Sequence, residues 1–212
     1  MQEYSKNLLV MSKEEKQAYR EEIQEQVKQI LSEKRYLHSV GTMKKAKELA
    51  ILYGEDEEKA MLTGIVHDIA KEMSKEDYFL YAIQNKIEID DFDRADTTLL
   101  HAKIGADIVK KKYQFTEEMQ NAILYHPTGR AGMTKLDKII YVADKIEETR
   151  SYDGVETFRK LAKQNLDNAI LWHIENMTIP HTIEKGKLLH PLSILTRNDI
   201  IKRKVNKGGN YE

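Results

Sequence analysis

The apolar residues of the chain recur at the spacing of amphipathic helices. Near the N-terminus, Ile23, Val27, Ile30 and Leu31 stand at positions i, i+4, i+7 and i+8, which places them on one helix face. No segment shows the sustained alternation of apolar and polar residues that is typical of a strand. The sequence therefore predicts an all-α fold.

Two further stripes each end on a polar residue, His126 in the first and Asp144 in the second. Thr116 and Thr134 are expected to cap these two helices at their N-termini, and Ser74 is expected to cap another. An unpaired carboxylate in a core is costly, so a carboxylate at the position of Asp144 needs an ion-pair partner, hydrogen bonds or a metal. The apolar members of the two stripes are Met119, Ala122 and Ile123, and Leu136, Ile139, Ile140 and Ala143.

Five other segments have helical character, with expected bounds of Val40 to Tyr53, Glu57 to Met73, Lys75 to Asn85, Leu100 to Tyr113 and Val155 to His173. Three breaks are expected between helices: an acidic surface loop over 85–96, a glycine-bearing turn over 126–132 and a connection over 178–186. None of these breaks has the composition of an interdomain linker. We therefore expect one helical domain over residues 21–200, with an N-terminal extension over 1–20 and a basic flexible tail over 201–212.

The composition excludes several classes of protein. Lys and Arg total 34 against 35 for Asp and Glu, and this net charge of −1 argues against nucleic acid or a membrane surface as a partner. The absence of cysteine excludes thiolate metal sites and cysteine nucleophiles, and it fits a reducing compartment. No targeting or membrane-spanning segment is visible in the sequence, so we expect a cytoplasmic protein.

Six residues with metal-ligand chemistry stand at core positions or helix ends: His38, His67, Asp68, His101, His126 and Asp144. A single histidine on an apolar face is more often a hydrogen-bonded core residue than a ligand. Six such residues on five predicted helices are instead typical of a metal held between the helices of a bundle. The residues alone leave open a buried hydrogen-bonded network of histidines and aspartates.

Several segments resemble the HD-domain metal-dependent phosphohydrolases, an all-helical family. The spacing from His38 to His67-Asp68 and on to Asp144 is similar to the four-point signature of that family. The surrounding segments resemble its YqeK branch, the symmetrical bis(5'-nucleosyl)-tetraphosphatases, over residues 35–41, 67–71, 99–101, 125–133 and 138–144. The sequence departs from the usual loop residues of that branch at Ala131, Ala102-Lys103 and 147–150, which concerns turn rigidity and substrate fit more than metal binding.

The resemblance implies an HD-domain helical bundle with a metal site in its core, whose ligands are His38, His67, Asp68 and Asp144. It further implies that His101 and His126 either complete a second metal site bridged by Asp68 or contact the substrate phosphates directly. Iron is the implied metal, as one or two ions, with manganese, cobalt or another divalent metal as alternatives.

The resemblance also implies which residues surround the substrate. The expected catalytic residues are Asp68, Lys71, His101 and His126. The expected substrate-binding residues are Arg35, Asp68, His101, His126, Pro127, Arg130, Asp144 and Arg150, together with Leu189, His190, Pro191, Leu192 and Ser193. The alternatives are an ordinary Asp–Lys helix pair for Lys71 and ordinary surface positions for the arginines.

The activity implied by the resemblance is hydrolysis of diadenosine tetraphosphate to two ADP by metal-activated water. The residue pattern by itself indicates only a phosphohydrolase. The alternatives are another HD nucleotidase, acting on mononucleotides or deoxynucleoside triphosphates, and a non-catalytic nucleotide-sensing module. The expected partners are a dinucleoside polyphosphate and the ADP product, and a homodimer stays open.

Overall fold

The computed structural model describes residues 11–206 and Gly208. Over these residues the chain folds into α1 Lys13–Ile30, α2 Glu33–Tyr53, α3 Glu57–Val66, α4 Lys75–Gln84, α5 Asp91–Ala95, α6 Leu100–Tyr113, α7 Glu117–Tyr125, α8 Lys135–Ile146, α9 Val155–Gln164, α10 Leu166–His173, α11 Ile179–Glu184 and α12 Pro191–Asn206. A 3₁₀ turn over Thr97–Leu99 precedes α6, and a π-helical segment over Ile174–Thr178 joins α10 to α11. The described residues contain no strand, which confirms the predicted all-α fold.

Polar residues placed just before the apolar stripes begin several of the helices. Ser74, Thr116 and Thr134 each accept a hydrogen bond from the backbone N–H three residues later, which confirms these three predicted caps. Ser32 accepts the same bond from the N–H of Arg35, so α2 begins well before its expected start. The earlier start places Arg35 and His38 on the same helix, one turn apart.

The predicted helix over 57–73 is too long. Helix α3 ends at Val66, and residues 67–72 form turns in which Ile69 and Ala70 are buried. Apolar residues continue past the end of the helix because these turns lie in the core. Their presence therefore indicates burial and does not indicate a helical backbone. This early end frees His67 and Asp68 from a regular helical arrangement.

The predicted helix over 155–173 is two helices. The backbone of Asn165 is extended, which ends α9, and its side chain accepts a hydrogen bond from the N–H of Asn168, which begins α10. A polar cap inside an otherwise continuous amphipathic pattern therefore marks a break that hydrophobic periodicity does not detect.

Two segments predicted as loops contain short helices. In the acidic segment, Asp90 caps α5 and Asp93 is buried, where it pairs with Lys103. The predicted connection over 178–186 contains α11, with Pro180 in the first turn, where a helix needs no N–H donor. Neither segment is therefore only a solvated loop.

Helix α8 lies at the centre of the bundle and packs against α2, α7 and α10. Its residues from Ile139 to Ala143 are almost completely inaccessible to solvent. Helices α2 and α3 approach each other closely at Gly64, where an added Cβ would lie 3.0 Å from Cα of Met43. The absence of a side chain at Gly64 therefore brings together the two helices that carry His38 and lead into His67.

The expected domain boundaries at residues 20 and 200 fall inside α1 and α12. Residues 201–206 of the predicted tail belong to α12, whereas residues 1–10 of the predicted extension and residues 207 and 209–212 of the tail lie outside the described residues. Among the helices that the structure describes, none combines the length and the apolar character that crossing a membrane would require.

His173 is a buried histidine outside the predicted site. Its ring stacks on Phe158 with centroids 4.8 Å apart, and the hydroxyl oxygen of Tyr141 lies 3.1 Å from its Nδ1. Burial lowers the pKa of His173 to about 3, so the imidazole stays neutral in the folded protein at ordinary pH.

Replacing His173 with glutamine is expected to make the protein less sensitive to acid. In the wild type, the unfolded chain protonates this imidazole as the pH falls below 6.5, whereas the folded chain does so only near pH 3. The contribution of neutral His173 to stability is therefore complete above pH 6.5 and falls by about 1.4 kcal/mol per pH unit below it.

Urea unfolding of metal-free protein, from about pH 7.5 down to about pH 4.5, measures this contribution. The free energy of unfolding of the wild type should fall toward, and then below, that of His173→Gln as the pH is lowered. A difference between the two proteins that does not change with pH would contradict a neutral buried imidazole.

Candidate metal centre and adjoining cleft

The six residues with metal-ligand chemistry meet in the middle of the bundle, and all six are buried. His38 lies on α2, His67 and Asp68 directly follow α3, His101 lies in the first turn of α6, His126 directly follows α7 and Asp144 lies in the last turn of α8. Five of the six thus stand at or within one turn of a helix end. Helix ends that converge on one point allow short side chains from distant segments to meet.

Four of the six form a first group. Nε2 of His38 lies 3.2 Å from Nε2 of His67 and 3.1 Å from Oδ1 of Asp144. Oδ2 of Asp68 lies 3.7 Å from Nε2 of His38 and 3.6 Å from Nε2 of His67. Nitrogen and oxygen ligands lie about 2.0–2.2 Å from a metal such as zinc, so atoms at this mutual spacing can share one ion.

A second group forms around the other oxygen of Asp68. Its Oδ1 lies 3.2 Å from Nε2 of His101 and 3.6 Å from Nε2 of His126, and these two nitrogens lie 3.1 Å apart. Asp68 thus presents one carboxylate oxygen to each group. The geometry brings together all six residues that the sequence singled out.

All four imidazoles are oriented by a hydrogen bond at Nδ1. His67, His101 and His126 each donate Nδ1–H to the carbonyl oxygen three residues earlier in the chain, those of Gly64, Thr98 and Ile123. A carbonyl oxygen can only accept, so Nδ1 carries the proton and Nε2 presents its lone pair to the cluster. For His38 the partner of Nδ1 is a carboxylate, that of Glu147, at 3.0 Å.

Both aspartates of the cluster are held in the ionised form. Burial alone would raise the pKa of Asp68, but His67, His101 and His126 face its carboxylate and hold the pKa well below its usual value. Burial opposes ionisation at Asp144 as well, and the neighbouring charge of Lys145 holds its pKa well below normal. Ionised carboxylates of this kind are ready ligands for a divalent cation.

The second group is poor in protons. Burial lowers the pKa of His126 to about 3, and burial also lowers the pKa of His101. Nζ of Lys71 lies 3.2 Å from Nδ1 of His101, and burial lowers the pKa of this ammonium group. Neutral imidazoles are the form in which histidine binds metals.

Two arginines contact the carboxylates from the more exposed side of the cluster. Nη1 of Arg35 donates to Oδ2 of Asp68 at 2.8 Å, and Nη2 of Arg150 donates to Oδ1 of Asp144 at 2.7 Å. Their side chains are 31% and 35% exposed, respectively, so both guanidinium groups face solvent as well as the cluster. Arg130, in contrast, pairs with Asp137 and stacks on Tyr125, and no described contact joins it to the cluster.

A cavity of about 300 Å³ lies beside the second group. Pro127, which follows His126, and Leu99, two residues before His101, both contribute to its wall. The opposite wall comes from the segment between α11 and α12 and from the first turn of α12. The lining residues are Phe92, Ala95, Asp96, Leu99, Pro127, Thr128, Thr178, Thr182, Gly186, Lys187, Leu188, Leu189, His190 and Ser193.

The segment from Leu189 to Ser193, which is expected to bind substrate, lies partly in this wall. Leu189, His190 and Ser193 line the cavity, and Leu192 lines a smaller cavity beside it. Pro191 begins α12 and is not among the lining residues of either cavity. The hydroxyl of Ser193 donates to the carbonyl of Thr128 at 3.2 Å, which joins this segment to the turn after His126.

Two residues at the cluster were not predicted from the sequence, Glu147 and Lys145. Glu147 is completely buried against His38. Nζ of Lys145 donates to the carbonyl of His126 at 2.8 Å and lies 3.3 Å from Oδ2 of Asp144. The only sequence signal for these two residues is that they lie close to Asp144. A stretch of charged residues such as this one is more typical of an exposed surface.

Comparisons with known proteins identify the family of this chain. A family model described as the HD domain matches residues 35–149. The chain is 40% identical over 183 residues to a Bacillus subtilis protein named bis(5'-nucleosyl)-tetraphosphatase, symmetrical, covering 86% of this chain and 97% of the relative. A Halalkalibacterium halodurans protein of the same name is 39% identical over 176 residues, covering 82% of this chain and 93% of the relative.

The fold is also similar to a solved structure from Clostridium acetobutylicum, described as a predicted HD superfamily hydrolase involved in NAD metabolism. The two structures superpose with a TM-score of 0.83 at 41% sequence identity, over 87% of this chain and 97% of the other. The HD domain and the buried cluster together indicate a divalent metal ion. The chain belongs to the HD-domain family and, within it, to the YqeK branch that its motifs resemble.

Proposed function

We propose that this protein hydrolyses dinucleoside tetraphosphates symmetrically, converting diadenosine tetraphosphate and water into two ADP. The observation that carries the proposal is the buried cluster in which Asp68 presents one oxygen to each of two ligand groups. This cluster lies beside a cavity lined by three of the residues expected to bind substrate, Leu189, His190 and Ser193. The relatives named as symmetrical tetraphosphatases support this substrate class.

In the substrate, one oxygen atom bridges the two central phosphorus atoms. In the proposed reaction, the bond from this oxygen to one of the two phosphorus atoms breaks. The oxygen of water joins one central phosphorus, and the bridging oxygen leaves with the other ADP. A divalent metal supplies, when bound, Lewis acidity toward a phosphoryl oxygen and a lowered pKa for water. We assign its binding to His38, His67, Asp68 and Asp144, with His101 and His126 at a second site that shares Asp68.

The fit of the residues to such a metal rests on the donor set. Four Nε2 atoms and two ionised carboxylates, without thiolates, suit iron, manganese, cobalt and similar first-row divalent ions. We propose iron, as one or two ions, because the family resemblance implies it.

The other site residues act on the substrate in this proposal. Arg35 and Arg150 contact the phosphate oxygens, since a guanidinium group matches these bidentately and both side chains reach solvent. Lys71, whose Nζ lies 3.2 Å from Nδ1 of His101, assists at the leaving oxygen, and His101 and His126 act through the second metal site. Pro127, Leu189, His190, Leu192 and Ser193 surround a nucleoside in the cleft. Arg130 and Pro191 line neither of the two described cavities, and we propose that they support the turn after His126 and the start of α12.

Product analysis of the metal-loaded protein tests the proposal. The purified protein is supplied with Fe²⁺ without oxygen, or with Mn²⁺, and incubated with diadenosine tetraphosphate in ¹⁸O-water. We expect two ADP per substrate, with one ¹⁸O atom in one of the two terminal phosphates. Release of AMP and ATP would place the cut off centre and contradict symmetrical hydrolysis.

The same assay separates the alternative functions. Deoxynucleoside triphosphates, nucleoside monophosphates and NAD are supplied at equal concentration. Preferred turnover of any of these compounds would contradict the proposed substrate, and binding of diadenosine tetraphosphate without turnover would favour a nucleotide-sensing module. Two statements stay predictions from the sequence: that the protein is cytoplasmic, and that it has no nucleic acid or membrane partner. Whether it forms a homodimer stays open.

A further inference from the structure

We propose that Glu147 is a positioning residue that fixes the tautomer and orientation of His38, so that Nε2 of this imidazole faces the cluster. Oε1 of Glu147 lies 3.0 Å from Nδ1 of His38, and Glu147 is inaccessible to solvent. The other three imidazoles of the cluster obtain the same orientation from backbone carbonyls. His38 is the one ligand of the four whose orientation depends on another side chain.

Residues next to Glu147 in the sequence hold its carboxylate in place. The backbone N–H of Thr149 donates to Oε2 at 2.8 Å, and the hydroxyl of Thr149 donates to Oε1. Nε of Arg150 lies 3.7 Å from Oε1. These contacts give the carboxylate a fixed position, which a group that orients another side chain requires.

The backbone around Glu147 is held by Arg159 from α9. Its Nε donates to the carbonyl of Ile146 at 2.9 Å, and its Nη2 donates to the carbonyls of Glu147 at 2.8 Å and Arg150 at 2.9 Å. One guanidinium group thus binds three carbonyl oxygens, that of Ile146 at the end of α8 and those of Glu147 and Arg150 just beyond it. The chain that carries Glu147 is therefore fixed on both sides of this residue.

Helix α2 leaves space for this carboxylate. A Cβ added at Gly41 would lie 2.3 Å from Oε2 of Glu147 and 3.1 Å from its Cδ. Gly41 stands one turn after His38 on the same helix, so the glycine and the histidine face Glu147 together. Even the smallest side chain at position 41 would displace the carboxylate from the imidazole.

The consequence for His38 follows from the two nitrogens of its ring. With the proton on Nδ1 and donated to Glu147, Nε2 keeps a lone pair directed at His67 and Asp144. Without this acceptor, the proton can move to Nε2, which then cannot bind a metal. Carboxylates that orient a ligating histidine in this way typically contribute 10–100-fold to metal affinity.

The test uses Glu147→Ala, Glu147→Gln and Gly41→Ala, with Glu148→Ala as the matched control. Glu148 is the neighbouring acid on the same segment and is exposed, so its removal changes the charge equally without touching His38. The first measurement is ¹⁵N NMR of the histidine rings in metal-free protein, with His38 assigned from a His38→Gln sample. The second is the dissociation constant for Mn²⁺.

In the wild type and Glu148→Ala, we expect the His38 signal of an Nδ1–H tautomer. In Glu147→Ala and Gly41→Ala, we expect a shift toward the Nε2–H tautomer and a dissociation constant for Mn²⁺ raised by about 10–100-fold. Glu147→Gln, whose amide oxygen can still accept from Nδ1–H, should fall between these results. If Glu147→Ala does not fold, Glu147→Gln and Gly41→Ala carry the test.

A purely structural role would lower the thermal midpoint of the metal-free variants and leave the His38 tautomer unchanged, which would overturn the proposal. An unchanged tautomer together with wild-type affinity for Mn²⁺ would overturn it as well. The proposal deepens the proposed function through its metal site, but the tautomer is measured without metal or substrate. A wild-type protein that binds no Mn²⁺, Fe²⁺ or Co²⁺ would therefore contradict the proposed function while the NMR result still decides the role of Glu147.

Discussion

Replacing Asp68 with alanine is expected to abolish hydrolysis and to weaken metal binding by more than about 100-fold, which exceeds the usual cost of losing a residue that only orients a ligand. The reason is that Asp68 alone presents an oxygen to both ligand groups, Oδ2 to the first and Oδ1 to the second. Its removal therefore affects both candidate metal positions. Elemental analysis of the protein after metal loading and desalting measures the loss.

Two variants control for folding in this experiment. Asp68→Asn keeps the shape of the side chain and one oxygen but loses the charge, and we expect it to lie between the wild type and Asp68→Ala. Asp167→Ala removes an ion-paired carboxylate on α10, where it contacts Lys138 and Arg203, and it should keep the full metal content. A full metal complement in Asp68→Ala would refute the assignment of this residue as a shared ligand.

Replacing Gly64 with valine is expected to destabilise the fold by about 3 kcal/mol, the upper end of the usual cost of overpacking. The added Cβ would lie 3.0 Å from Cα and 3.2 Å from the backbone nitrogen of Met43, and backbone atoms cannot move aside as a flexible side chain can. Helices α2 and α3 would have to separate, which would also move His38 away from His67. Urea unfolding measures the stability, and metal titration measures the effect on the cluster.

The matched control for this substitution is Gly105→Ala on α6. A Cβ added at Gly105 would lie 3.4 Å from Cγ2 of Ile123, which is an ordinary van der Waals contact. Since alanine favours a helix by about 1 kcal/mol over glycine, this variant should be as stable as the wild type or slightly more so. If Gly64→Val unfolds at the same urea concentration as the wild type, close packing of α2 on α3 does not limit the fold.

Much of the helical architecture could be predicted because its signals are local. Ser74, Thr116 and Thr134 cap helices where a polar residue precedes an apolar stripe. The end of α3 at Val66 could not be predicted in this way, since Ile69 and Ala70 beyond it are apolar and buried without being helical. Hydrophobic periodicity indicates which residues face the core. It does not distinguish a buried turn from a buried helix, because both place apolar residues in the core.

The members of the candidate cluster could be predicted, but its arrangement could not. Polar residues at core positions identified His126 and Asp144, and the family resemblance joined them to residues elsewhere in the chain. That Asp68 divides its two oxygens between the groups depends on the turn after α3, which the helical prediction missed. Glu147 was not predicted as a site residue because a glutamate followed by a second glutamate is typical of a solvated surface. Its burial depends on Gly41, which is far away in sequence.

The hydrogen bonds at Nδ1 determine how mutation can alter this centre. An acceptor that belongs to the main chain is encoded by no particular amino acid, so substitutions at Thr98 or Ile123 change the local packing but leave the carbonyl oxygen in place. His38 differs, because a single codon change at position 147 can remove its partner. During divergence of such proteins, ligand orientation can therefore be tuned through His38 without any change in the ligands themselves.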